Sequence, residues 1–195
     1  MRSDAHQSRM RTAAVLSAGA VMIGGLPLVT ATSSQAAPMT PTVSAKASVA
    51  QAKKSKAQKK RAKRLRQKKR ANRARSSLVR VGLNQLGKQY VAGAAGPSRF
   101  DCSGFTQYVY KKATGKYLPH YSGAQMNRAR RVSTRNLKPG DLLFYGRGGS
   151  QHVSMYIGKG KMVHATNPRT DVRIDSVNNG YWRGRFAGAG RIIEG

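Results

Sequence analysis

Cysteine is almost missing from this chain: Cys102 is the only one in 195 residues. No intrachain disulfide can form. A zinc site built on cysteines needs several thiolates and is excluded. No cofactor and no metal site are expected. Acid is scarce as well, with six Asp and Glu against 37 Lys and Arg, a formal charge of +31 at pH 7. Such an excess says nothing about the fold, but it predicts attraction to polyanions. Residues 38 to about 76 lack apolar periodicity, and Lys53–Arg75 holds neither an acid nor an aromatic side chain. Residues 37–76 therefore cannot bury a core and are expected to be a disordered linker, or a helix formed only on a polyanion. Without aromatics to stack on bases, nucleic acid is disfavoured as the partner. Anionic wall polymers or a membrane surface are the partners expected for Lys53–Arg75, with a solvated spacer as the plain alternative. The protein is expected to be a monomer.

The first stretch reads as an export signal. Arg2, Arg9 and Arg11 precede an apolar run from about Ala13 to Ala31, broken by Gly24, Gly25 and Pro27, and Ser34-Gln35-Ala36 offers a small-x-small cleavage site. Residues 1–36 are expected to be removed, leaving a mature chain from Ala37 that is secreted or associated with the cell wall. An uncleaved membrane anchor is the alternative, since a span needs roughly 20 apolar residues.

Order is expected from Ser76 or Ser77, a cap for a helix with Val79, Leu83 and Leu86 on one face and Gly87 at its end. A glycine-rich loop from Tyr90 to Pro97 leads into Phe100-Asp101-Cys102-Ser103-Gly104-Phe105. The residues after Cys102 read as a helix that Gly115 stops. A thiol in the first turn of a helix meets unpaired N–H groups and the positive end of the helix dipole, both of which favour the nucleophilic thiolate. Tyr90 can bring its hydroxyl to that thiol, or pack on the first helix. A short helix is expected around Gln125. Strand-like runs follow at Leu142–Tyr145, His152–Ile157, Lys161–Ala165, Val172–Val177 and Gly188–Ile193. Helices first and closely spaced strands after them predict an α+β fold with an antiparallel sheet.

His152 and His164 flank Gly158-Lys159-Gly160. A three-residue loop there sets residue 154 opposite 164, so the two histidines share a face as diagonal neighbours. A two-residue loop at Lys159-Gly160 shifts the register by one and sends them to opposite faces. Joint chemistry of the two rings therefore requires an odd loop or a bulge. Given that geometry, Cys102 can serve as nucleophile, His152 as acid and base, and His164 as the group that orients His152, with the Cys102 N–H and the Tyr90 hydroxyl on the oxyanion. A buried, inert Cys with two unrelated strand histidines is the plain alternative.

Asp101-Cys102-Ser103-Gly104-Phe105, Leu118-Pro119, Ser122, Gln125, Pro139-Gly140-Asp141-Leu142, His152-Val153, Tyr156-Ile157-Gly158 and Met162-Val163-His164-Ala165 together resemble the NlpC family of cell-wall cysteine peptidases, over roughly Leu78 to Gly195. The resemblance implies a papain-like α+β domain over residues 77–195, with N-terminal helices on a five- to six-stranded antiparallel sheet. It implies a thiol-dependent endopeptidase whose partner is peptidoglycan, cutting stem peptides at the γ-D-glutamyl–diamino acid bond. It matches Cys102, His152 and His164 to the catalytic set, and adds Tyr90, Asp101, Ser103, Ser122 and Gln125 as oxyanion or substrate-binding candidates. Two departures stand out: the family's Tyr-x-Trp-Gly-Gly reads Tyr90-Val91-Ala92-Gly93-Ala94, and its Leu-Pro-Arg turn carries His120. An amidase of the CHAP type and a dead module that only binds polyanions are the alternatives.

Overall fold

A computed structural model describes residues 44–194. The export-signal reading of residues 1–36 lies outside the described residues.

Helix α1 spans Ser44–Leu83, 40 residues, as one piece. From Ser44 onward, the disordered linker expected up to residue 76 and the separate helix expected after it are a single helix here. Residues 51–75 contain no Gly, Pro or β-branched residue and consist mainly of Ala, Lys, Arg and Gln, all strong helix formers. Residues 51–70 are exposed all round. Contact with the domain begins at Ala71 and continues through Arg75, Leu78, Gly82 and Gln85, all buried. The face expected from Val79, Leu83 and Leu86 is the wrong one: Leu86 is 42% exposed while Leu78 is fully covered. The true face was obscured because it contains a buried arginine and a glycine. Arg75 is 6% exposed. Its guanidinium donates to the carbonyls of Ile193 and Pro139 and lies 3.5 Å from Asp141 Oδ1. It belongs to the domain's interior, and the cationic stretch open to a partner ends before it.

Helix α2 (Cys102–Thr114) is capped by Asp101 and, as expected, closed by Gly115, which takes the left-handed conformation. Helix α3 (Ser122–Arg128) carries Gln125. Six strands follow: β1 (Arg130–Val132), β2 (Leu142–Tyr145), β3 (His152–Gly158), β4 (Lys161–Ala165), β5 (Val172–Ser176) and β6 (Phe186–Arg191). They form one antiparallel sheet in the order β1-β6-β2-β3-β4-β5. The short helix α4 (Gly180–Arg183) lies between β5 and β6.

Alternation along the strands divides the sheet's two faces. Leu142, Phe144, Val153, Met155 and Val163 pack with Leu78, Phe105 and Val109 of the helices. Leu143, Tyr145 and Met162 form the other layer, with Tyr156 and Trp182 against them. His152, Ser154 and His164 fall on this second face by the same parity.

Buried Asp141 ties the layers together. Arg191 grips it with two bonds of 2.8 and 2.6 Å, Arg75 faces it, and the Lys138 N–H donates to it at 2.7 Å. A buried carboxylate is tolerable only when so fully paired.

Candidate active site

Cys102 opens α2, and Asp101 sets where it points. One carboxylate oxygen accepts from the Gly104 N–H at 2.6 Å and the Ser103 hydroxyl at 3.0 Å. The other accepts from the Gly93 N–H at 2.9 Å and meets His120 Nε2 at 2.8 Å. These four contacts fill the acceptor capacity of a carboxylate. Asp101 thus fastens the glycine-rich loop and the Leu-Pro-His turn to the start of α2, and has no lone pair to spare for a ligand.

Three other expected binding residues turn inward. Ser103 is buried with its hydroxyl given to Asp101. Ser122 is buried at the start of α3. Gln125 is fully covered: it accepts from Thr106 at 2.7 Å and donates to the carbonyls of Ser103 at 2.9 Å and Pro119 at 2.7 Å. It braces α2 against the Leu-Pro turn. Ser103 and Gln125 have no free polar atom to offer a substrate, because each satisfies its own burial.

Tyr90 is half-buried, and its hydroxyl is pushed up first by burial and then by the charges of Cys102 and Asp101. It shares the thiol's electrostatic neighbourhood, as expected from its place in the chain.

The thiol itself departs from the simple helix-dipole argument. Burial pushes Cys102 up, and Asp101 adds to this, against the backbone N–H groups of Val153, Ser103 and Cys102, which favour thiolate. Burial outweighs them, and the partly buried Cys102 thiol is pushed above its ordinary value. The Val153 contact locates it. The β3–β4 pairing starts at Met155↔Val163, so Val153 lies ahead of it on β3, and its backbone N–H acts on the thiol. Val153 is the chain neighbour of His152.

His152 is 7% exposed and His164 fully buried. Nε2 of His152 lies 2.8 Å from Nδ1 of His164. Nδ1 of His152 is left as the ring nitrogen without a protein partner among the described residues. Burial, then His164, holds His152 well below the ordinary 6.5. Burial likewise brings His164 down to about 4, against the pull of Asp175. Both rings are neutral at neutral pH, so His152 is free to accept a proton.

The hairpin that joins the histidines uses both devices considered for it. Gly158 pairs with Lys161 across a two-residue Lys159-Gly160 turn, and the register then shifts, so that Tyr156 pairs with Met162 and Met155 with Val163. The bulge at Ile157 restores the 154-to-164 register that a three-residue loop would have given.

Two residues of the cluster escaped the sequence reading. Asp175 on β5 meets His164 Nε2 through Oδ2 at 3.1 Å. Trp182 on α4 stacks on His152, with centroids 4.5 Å apart and planes at 26°, and meets His164 edge-on at 5.0 Å. Asp175 had one signal, being one of only six acids in the chain. The four-residue α4 offered none.

Residues 87–191 match the NlpC/P60 family. "Probable endopeptidase p60" of Listeria innocua is 41% identical over 117 residues, 60% of this chain and 24% of that one. "Peptidoglycan endopeptidase RipA" of Mycobacterium tuberculosis is 40% identical over 113 residues, 51% of this chain and 24% of that one. The crystal structure of the NlpC/p60 domain of peptidoglycan hydrolase SagA superposes with a TM-score of 0.55 at 34% identity, covering 60% of this chain and 98% of that domain. This chain spans about a quarter of the length of the curated relatives it matches.

Proposed function

The chain belongs to the NlpC/P60 family, and from that premise we propose that it is a secreted cysteine endopeptidase of peptidoglycan, cutting stem peptides at the γ-D-glutamyl–diamino acid bond. The observation that carries this reading is the 2.8 Å contact of His152 with His164, together with the action on the Cys102 thiol of the backbone N–H of Val153, the chain neighbour of His152. Relatives named as peptidoglycan endopeptidases support the substrate class.

In this reaction Cys102 Sγ attacks the scissile carbonyl as Nδ1 of His152 takes the thiol proton. The carbonyl π pair moves to oxygen, where the Cys102 N–H and the Tyr90 hydroxyl receive it. Collapse breaks the C–N bond, and the His152 imidazolium gives its proton to the leaving amine. Water, deprotonated by His152, then attacks the thioester and releases the thiol. Because thiol and imidazole are both neutral at rest, proton transfer accompanies attack.

The exposed part of α1, over residues 51–70, is proposed to hold the enzyme on an anionic wall polymer. It carries cations on every side and no acid. Such attraction weakens as salt rises.

Muropeptide digestion by wild type and Cys102→Ala tests the enzymatic reading. New fragments are expected with wild type alone, and their masses identify the bond; identical product patterns overturn the reading. Wall retention of the full chain against a chain beginning at Lys68 tests the anchoring. Equal retention at low and high salt removes it.

A further inference from the structure

We propose that Asp175 is a positioning residue of this site: through His164 it sets both imidazoles in the Nε2–H form, leaving His152 Nδ1 as the lone pair that receives the Cys102 proton. The proposal rests on the peptidase reading above and extends it by one residue.

The argument starts at the carboxylate. A carboxylate only accepts, so His164 Nε2, 3.1 Å from Asp175 Oδ2, must carry the hydrogen. A neutral His164 then has its lone pair on Nδ1. Nε2 of His152 sits 2.8 Å from that lone pair and must in turn donate. The remaining nitrogen of His152 is an acceptor. One acceptor at the far end of the row thus decides the state of the nitrogen at the near end. The reversed arrangement sets a ring lone pair against the carboxylate and puts N–H on His152 Nδ1, where it cannot take a proton.

Asp175 is itself held by donors. The Arg173 guanidinium pairs with Oδ1 at 2.8 Å, and the Trp182 indole N–H donates to Oδ2 at 3.2 Å. The Trp182 ring then covers His152 from above. The strand register brings these groups together. Met162 pairs with Asp175 and His164 with Arg173, so Asp175 is a diagonal neighbour of His164 on one face, as His164 is of His152. The titratable groups around the pair are Tyr145 on β2, and Arg173 and Asp175 on β5. Among them Asp175 is the only carboxylate in contact with either ring. It also stands two rings away from the positive charge that His152 acquires during attack.

The test uses the full chain labelled with 15N-histidine, whose ring shifts report tautomers without any substrate, together with muropeptide turnover. Wild type is expected to show His152 and His164 as Nε2–H. Asp175→Leu, which fills the volume without an acceptor, is expected to give mixed tautomers and a kcat about 100-fold lower, with KM changed less than about twofold. Asp175→Asn keeps an acceptor oxygen and is expected to restore the Nε2–H forms and most of kcat. A packing role predicts the same outcome for both variants. Wild-type His164 found as Nδ1–H overturns the proposal, and this can be read even if Asp175→Leu does not fold. So does an Asp175→Leu variant with wild-type tautomers and kcat. A wild type with the expected tautomers that cleaves no peptidoglycan supports the Asp175 assignment and overturns the peptidase reading instead.

Discussion

Nε2 of His152 and Nδ1 of His164 meet at 2.8 Å because Ile157 adds one residue to β3. Without that bulge the two-residue turn would place the rings on opposite faces of the sheet. The turn leaves a mark of its own: Lys159 and Gly160 have φ of +51° and +68°, the pattern of a type I′ turn. Lysine is poorly suited to positive φ.

Lys159→Asn is therefore expected to stabilise the protein by about 0.5–1 kcal/mol, since Asn-Gly is the preferred type I′ pair. Urea unfolding measures it, and muropeptide turnover should stay at the wild-type level. A loss of stability would show that the turn is not of this type.

Gly104 has a different constraint. A Cβ there would lie 2.2 Å from the Ala94 carbonyl oxygen and 2.8 Å from Ala95 Cα, both backbone. The glycine-rich loop would have to leave α2, and with it the Gly93 bond to Asp101. Gly104→Ala is expected to cost about 1–3 kcal/mol and to lower turnover far more than Lys159→Asn does. Wild-type melting and turnover in Gly104→Ala would sink this account of the Asp-Cys-Ser-Gly glycine.

The neutral resting pair has a kinetic signature. Burial raises Cys102 and lowers His152. Alkylation of Cys102 by iodoacetamide is expected to climb through neutral pH, with an inflection above the ordinary thiol value of 9.0. The acid limb of turnover should fall below pH 6.5, where His152 finally takes a proton. A fast alkylation rate that stays flat down to pH 5 would instead reveal a preformed thiolate–imidazolium pair.

The histidines also affect stability. His164 is brought down to about 4, so between that pH and 6.5 the unfolded chain binds a proton that the folded chain refuses. Stability is complete above about 6.5 and is lost as pH falls toward 4. Melting temperature against pH should show this decline, and His164→Gln should flatten it. An equally steep decline in the variant would place the effect elsewhere.

The buried Arg75 sets where the domain can be cut. A chain beginning at Ser77 loses Ala71 and Arg75 and leaves Asp141 with fewer partners. It is expected to be less stable than one beginning at Lys68 by about 2 kcal/mol or more. Coincident urea curves for the two chains would remove Arg75 from the domain's interior.

Much of the site was readable along the chain because its signals are short-range. Gly115 and the alternation through His152–Ile157 depend on neighbours a few residues apart, and signals of this kind located α2, α3 and five strands. Strand β1 was missed because Arg130–Val132 is a short, basic edge strand without an alternating apolar pattern. The face of α1 was misread because its central contact is an arginine whose partner, Asp141, lies 66 positions away. Acid content was known from composition, but its use was not: each described acid has a bonded partner, with Asp101 on α2's first turn, Asp141 on Arg191, Asp171 on the Tyr90 N–H, Asp175 on His164 and Glu194 on Arg130. Residue order and local chemistry singled out Cys102, the two histidines and the condition under which the rings could meet. Folding selected the bulge that satisfies the condition, buried the thiol enough to push it up, and brought Asp175 and Trp182 onto the rings. Those outcomes depend on register and burial, which are properties of strands laid side by side and cannot be expressed in any one of them alone.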